Sequence, residues 1–131
     1  MSTEQAIDAF WTCARNRTAP PVEWMSRLSR EEAYRVQLGV LTRHVAAGER
    51  QAGWKVGLTS KAMQIQQKVH EPVLGFLLAS GEQPSGTRFQ FADLINPGFE
   101  NELCLTVGRT LRGPGVTTAQ AQAALAAMAP A

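Results

Sequence analysis

The chain has 131 residues, 44% hydrophobic and 18% charged, with 13 Lys and Arg against 11 Asp and Glu for a formal net charge of +2. A chain of this size makes one soluble globular domain or part of one, and it buries roughly two thirds of its unfolded surface, so folding requires neither disulfides nor a structural metal. The small positive excess is spread along the chain rather than gathered with aromatics, which argues against nucleic acid as a partner, and the longest apolar run, Phe76-Leu77-Leu78-Ala79, is too short to span a bilayer.

Ser2 with Gln5 reads as a capping box, and Ile7, Phe10, Trp11 and Ala14 follow at helical spacing, predicting a first helix to about Arg17. Thr18-Ala19-Pro20-Pro21 breaks it, and a connector runs to about Leu28. Ser29 with Glu32 opens a second helix, with Tyr34, Leu38, Leu41 and Val45 on its apolar face and Gly48 as its stop. From Gly53 the texture changes: Trp54-Lys55-Val56-Gly57-Leu58 is short and glycine-bounded, as in a strand. Ser60 can cap a short helix to about Val69, Phe76-Leu77-Leu78 reads as another strand, and 80–86 as turn. Phe89 and Phe91 suggest a further short strand; after the Asn96-Pro97-Gly98 turn, Phe99 to Val107 is the best strand in the chain. Thr117 with Gln120 predicts an alanine-rich helix that Pro130 stops. The expected fold class is therefore α+β, with a helical region over 1–52 and the beginning of a β-rich domain over 53–131. Its few strands cannot close a barrel, so the sheet is expected to be completed by further sequence or another subunit.

Cys13 and Cys104 lie far apart with no Cys-x-x-Cys spacing, which argues against a zinc site and predicts a reducing, cytoplasmic setting; the start, Met1 to Gln5, has no secretory pattern. If 99–107 is a strand, Glu100 and Glu102 point to one face with α-carbons about 6.5 Å apart, within reach of one hard divalent ion. The same pattern, taken alone, more often describes a solvated strand face. Lys55, wedged between Trp54 and Val56, is either an amine whose burial brings it into proton-transfer range or a lysine whose head reaches water. Leu58-Thr59-Ser60-Lys61 lacks the order a phosphate loop requires. His44, His70 and Cys104 have no partner at ligand or nucleophile spacing and take structural readings.

Three blocks in order, Gly53-Trp54-Lys55-Val56-Gly57-Leu58-Thr59-Ser60-Lys61, Glu71-Pro72-Val73-Leu74-Gly75 and Asn96-Pro97-Gly98-Phe99-Glu100-Asn101-Glu102-Leu103, resemble the 2-keto-4-pentenoate hydratase family. That family includes 2-oxohept-3-enedioate hydratases and 4-oxalocrotonate decarboxylases, within the fumarylacetoacetate hydrolase-like superfamily. The resemblance runs from about Ser29 to Arg112 and matches the N-terminal half of a usual member. It implies a truncated catalytic domain and a Mg²⁺- or Mn²⁺-dependent hydro-lyase of 2-hydroxy-2,4-dienoates in the meta-cleavage breakdown of aromatic compounds. Glu100 and Glu102 match two metal carboxylates, and the third would fall beyond Ala131. Lys55 matches the lysine at the substrate, and Thr59, Ser60 and Leu103 fall in the same blocks as substrate-binding positions. A small 2-oxo or 2-hydroxydienoate acid is the implied partner, and a homo-oligomer the expected assembly. Val73 stands where many hydratases carry an acid, which brings in the decarboxylase reading. A non-catalytic fragment that pairs with another chain is the alternative outside enzymology.

Overall fold

The computed structural model describes residues 2–131, and Met25 by its backbone alone. The chain divides into two compact units, residues 1–96 and 97–131. The expected boundary at 52/53 falls inside the first unit, where helices give way to a hairpin.

In the first unit, helix α1 (Thr3–Asn16) starts where Ser2 accepts from the Gln5 amide and Gln5 returns the bond, and it ends on Arg17 in the left-handed region. The proline-rich connector holds a short helix, α2 (Val22–Met25), which the two prolines had masked in the sequence. Helix α3 (Arg30–Ala46) starts at the Ser29/Glu32 capping box. The glutamate is essential to that cap: its Oε2 accepts from the Ser29 hydroxyl at 2.7 Å and from the Ser29 amide at 2.8 Å. The Ser29 hydroxyl, followed by the backbone bond and the Arg35 charge, holds the Glu32 carboxyl below its ordinary pKa.

The core is formed by Ala6, Ile7, Trp24, Val36 and Val40, with Phe10, Trp11, Leu28 and Phe76 packed against it. Burying a side chain of the Ile or Val class contributes about 1.5–3 kcal/mol. The inward face of α3 differs from the expected one: Val36, Val40 and Leu41 are buried, whereas Leu38 and Val45 are half exposed. Gly39 explains the shift. A Cβ there would stand 2.4 Å from Ile7 Cδ1, so α1 crosses α3 at its smallest residue rather than at its largest apolar ones. Arg43 ties the two helices together through Glu4 at 2.5 Å and Asp8 at 2.6 Å. His44 sits between the rings of Trp11 and Phe76, a packing role consistent with its structural reading.

Strands β1 (Gln51–Gly57) and β2 (Val73–Leu78) form an antiparallel hairpin around helix α4 (Lys61–Gln66). The predicted strand at Phe89 and Phe91 is absent: residues 91–93 form a 3-10 turn and both rings are exposed. Alternation alone makes no strand without a neighbour to accept its hydrogen bonds.

The second unit contains β3 (Leu103–Val107), helix α5 (Thr118–Ala123) and β4 (Leu125–Pro130). The predicted long final helix is therefore cut short. Thr117 and Gln120 do form their capping box, but after Ala124 the chain turns to pair with β3, Cys104 opposite Ala129 and Leu105 opposite Met128. Gly108 permits the close approach at the hairpin's end, since a Cβ there would stand 2.8 Å from that of Ala126. Helix preference of an Ala run is worth only tenths of a kcal/mol per residue, less than a ladder of backbone bonds.

Candidate active site

Lys55 lies at the centre of β1. Side chains on a strand alternate, so Gly53, Lys55 and Gly57 share one face with their cross-strand partners Leu77, Gly75 and Val73. Trp54, Val56, Leu74 and Phe76 share the other, where Phe76 reaches the core. The lysine is half buried, and each of its nearest neighbours along and across its face is glycine. A Cβ added at Gly53 or Gly75 would meet nothing within 4 Å, and neither residue has a positive φ. Neither steric crowding nor backbone geometry therefore demands these two glycines; they leave a bare floor beside an amine.

The segment after β1 is strained. Leu58 has φ of 55°, in the left-handed region that costs a non-glycine residue about 1 kcal/mol or more. Gln64, buried within α4, donates to the Leu58 carbonyl at 2.8 Å, which holds this turn, and accepts from Lys61 Nζ at 3.0 Å. Ser60 has a structural duty as well: its Oγ caps α4 by accepting from the Met63 amide. Thr59 is exposed beside it.

The two glutamates stand differently from the expectation. The strand begins at Leu103, so Glu100 and Glu102 precede it and strand alternation does not place both carboxylates on one face. Glu102 extends the ladder by exchanging backbone bonds of 3.0 Å with Ala131, whereas Glu100 lies outside the pairing. Both residues are exposed, and their oxygen donors suit a hard cation. Two carboxylates are an incomplete shell for such an ion, and among the described residues no group of three or more His, Cys, Asp or Glu is gathered to hold a metal. Leu103, 65% exposed, is the first residue of β3, opposite Pro130. Lys55, Thr59 and Ser60 thus belong to the first unit, and Glu100, Glu102 and Leu103 to the second.

A cleft of ≈ 190 Å³ opens between α3 and β2, lined by Arg30, Ala33, Tyr34, Gln37 and Val73. A larger, open one of ≈ 380 Å³ lies along the 109–120 loop and includes none of the site residues. Sequence reasoning missed Tyr34 and Gln37, both of which bond to the backbone of Leu74 in β2. The sequence places Tyr34 only on the apolar face of its helix, and Gln37, three residues on, carries no signal in that reading.

No protein-family model matches the chain. It is 40% identical over 104 residues to the 2-hydroxypent-2,4-dienoate hydratase of Pseudomonas putida, covering 79% of this chain and 47% of the relative. To the 2-hydroxyhexa-2,4-dienoate hydratase of Comamonas testosteroni it is 38% identical over 114 residues, covering 86% of this chain and 43% of the relative. Among solved structures it is similar to the 4-oxalocrotonate decarboxylase of Pseudomonas putida G7 complexed with magnesium and adipate. The TM-score is 0.88 at 27% identity, covering 99% of this chain and 51% of that one. The chain spans about half the length of the curated relatives it matches. No described helix is long and apolar enough to cross a membrane. Over that shared half, the chain belongs to the 2-keto-4-pentenoate hydratase family.

Proposed function

We propose that the chain carries the lysine-bearing part of a hydro-lyase acting on 2-hydroxy-2,4-dienoates, in the meta-cleavage breakdown of aromatic compounds. The observation that supports it best is Lys55 on its glycine floor: a flat, conjugated acid can lie against bare backbone with its reacting carbons near an amine. Lys55 in this reading moves a proton to or from the substrate chain, the work of a general acid or base. Thr59, Ser60 and Leu103 are the proposed substrate contacts. For Ser60 that contact uses the hydroxyl's remaining hydrogen-bonding capacity beyond its cap. Glu100 and Glu102 would hold a divalent ion, Mg²⁺ or Mn²⁺. When bound, that ion supplies Lewis-acid polarisation of the 2-oxygen.

A second reading, loss of carbon dioxide from a 2-oxo acid, is supported by Val73. It lies opposite Gly57 on the face of Lys55 and offers no proton there. The solved neighbour named for that reaction supports it further.

Turnover of 2-hydroxypent-2,4-dienoate against 4-oxalocrotonate separates the two readings. In either, Lys55→Met should lower turnover by roughly 10²–10⁴-fold with the fold intact. Full turnover by the variant would remove Lys55 from the chemistry. Calorimetric titration of Mg²⁺ should show saturable binding that the Glu100→Gln/Glu102→Gln double variant loses. Binding that survives in the double variant would place the ion elsewhere.

A further inference from the structure

Along an antiparallel strand, backbone N–H and C=O groups point alternately toward the partner strand and away from it. Leu74 points both of its groups at helix α3. Its N–H donates to the Tyr34 hydroxyl at 3.1 Å, and its C=O accepts from Gln37 Nε2 at 3.0 Å. Leu74 and its partner Val56 are therefore the pair without mutual bonds, and the flanking pairs, Gly75 with Lys55 and Val73 with Gly57, carry the ladder. Because a peptide unit is planar, the Leu74 carbonyl and the Gly75 N–H belong to one rigid plate. Gln37 grips one edge of that plate and the Lys55 backbone accepts at the other. A second plate, bearing the Leu74 N–H and the Val73 carbonyl, joins Tyr34 to Gly57 in the same manner.

Gln37 uses only one end of its amide at this edge. Among the described residues its Oε1 is buried without a hydrogen-bond partner, while its Nε2 is committed to the Leu74 carbonyl. An amide directed at a single backbone carbonyl fixes the direction of that carbonyl as well as its place.

We propose that Tyr34 and Gln37 are positioning residues for Lys55, setting the lateral position and tilt of β1 through two rigid peptide plates. The inference rests on the reading of Lys55 as the substrate-facing amine, and its test does not depend on turnover.

The experiment is acylation of the folded chain with acetic anhydride across a range of pH, followed peptide by peptide by mass spectrometry. Lys61 and Lys68 serve as references within the same molecule. Gln37→Met removes the donor at similar volume, and Tyr34→Phe removes only the hydroxyl. The expected result is a change of about threefold or more in the Lys55 rate relative to both references, since a small tilt alters the amine's solvation and access. Circular dichroism should show both variants folded, and Tyr34→Phe should act in the same direction as Gln37→Met. An unchanged Lys55 ratio in both variants, or equal acceleration of all three lysines, would overturn the proposal. Failure of Lys55→Met to reduce turnover would instead overturn the reading on which it rests, leaving the labelling result standing.

Discussion

The two units use the same kinds of element in opposite ways. In residues 2–96 a hairpin leans on helices: Phe76 packs on the core, Tyr34 and Gln37 bond to its edge, and Glu71 of the preceding loop pairs with Arg30 of α3. In residues 97–131 every residue of the β3–β4 hairpin is exposed, and Ala124 alone among the unit's residues is buried. A two-stranded ribbon with uncovered faces is marginal in water. Lys55 thus lies on backbone supported by packed helices, whereas the two proposed metal carboxylates lie on backbone that gains little rigidity from the side chains of residues 97–131.

The sharpest way to break this contrast is to excavate each unit. Ile7→Ala should cost about 2–5 kcal/mol in denaturant unfolding, the range for emptying a buried aliphatic site. Met128→Ala, at a residue 66% exposed, should cost under about 1 kcal/mol. Equal losses would mean that the second unit has a core of its own. A smaller effect is expected at Gly39. Alanine there gains up to about 1 kcal/mol of helix preference but overlaps Ile7, and overpacking of this kind costs about 1–3 kcal/mol, so Gly39→Ala should lower the melting temperature. Gly75→Ala places its methyl in open space and should leave that temperature nearly unchanged, which makes it a control and a probe of the floor beside Lys55.

The smallest effect concerns pH. Glu32 has a depressed pKa in the folded chain because the Ser29 hydroxyl and amide bond to its ionised form. The unfolded chain then binds more protons in the window between the folded value and the ordinary glutamate value, so this contribution is present above that window and lost as pH falls through it. Glu32→Gln, which can still accept from Ser29, should flatten that part of the acid limb. A thermal-melting series from neutral to acid pH checks it, and an unaltered slope would remove Glu32 from the acid response.

Local signals were legible in the sequence wherever they were self-contained. Ser2/Gln5, Ser29/Glu32 and Thr117/Gln120 each announce a helix start within four residues, and all three caps form. What was hidden depends on partners distant in the chain. The 125–130 segment reads as helix until β3 is known to lie beside it. The inward face of α3 was misjudged because size stood in for proximity; Gly39 matters for what it lacks. The family's block singles out Lys55 as a candidate, whereas its glycine neighbour across the hairpin, Gly75, is visible only with the register.

The turn held by Gln64 has a kinetic consequence. The connection from residue 58 to residue 72 must close before β1 can find β2, and the entropy of closure grows with the number of freely jointed residues. Helix α4, fastened back onto Leu58 by one buried amide, takes about a turn and a half of that freedom out of the connection. The native hairpin that carries Lys55 is thus closed by a loop with fewer freely jointed residues than its length implies.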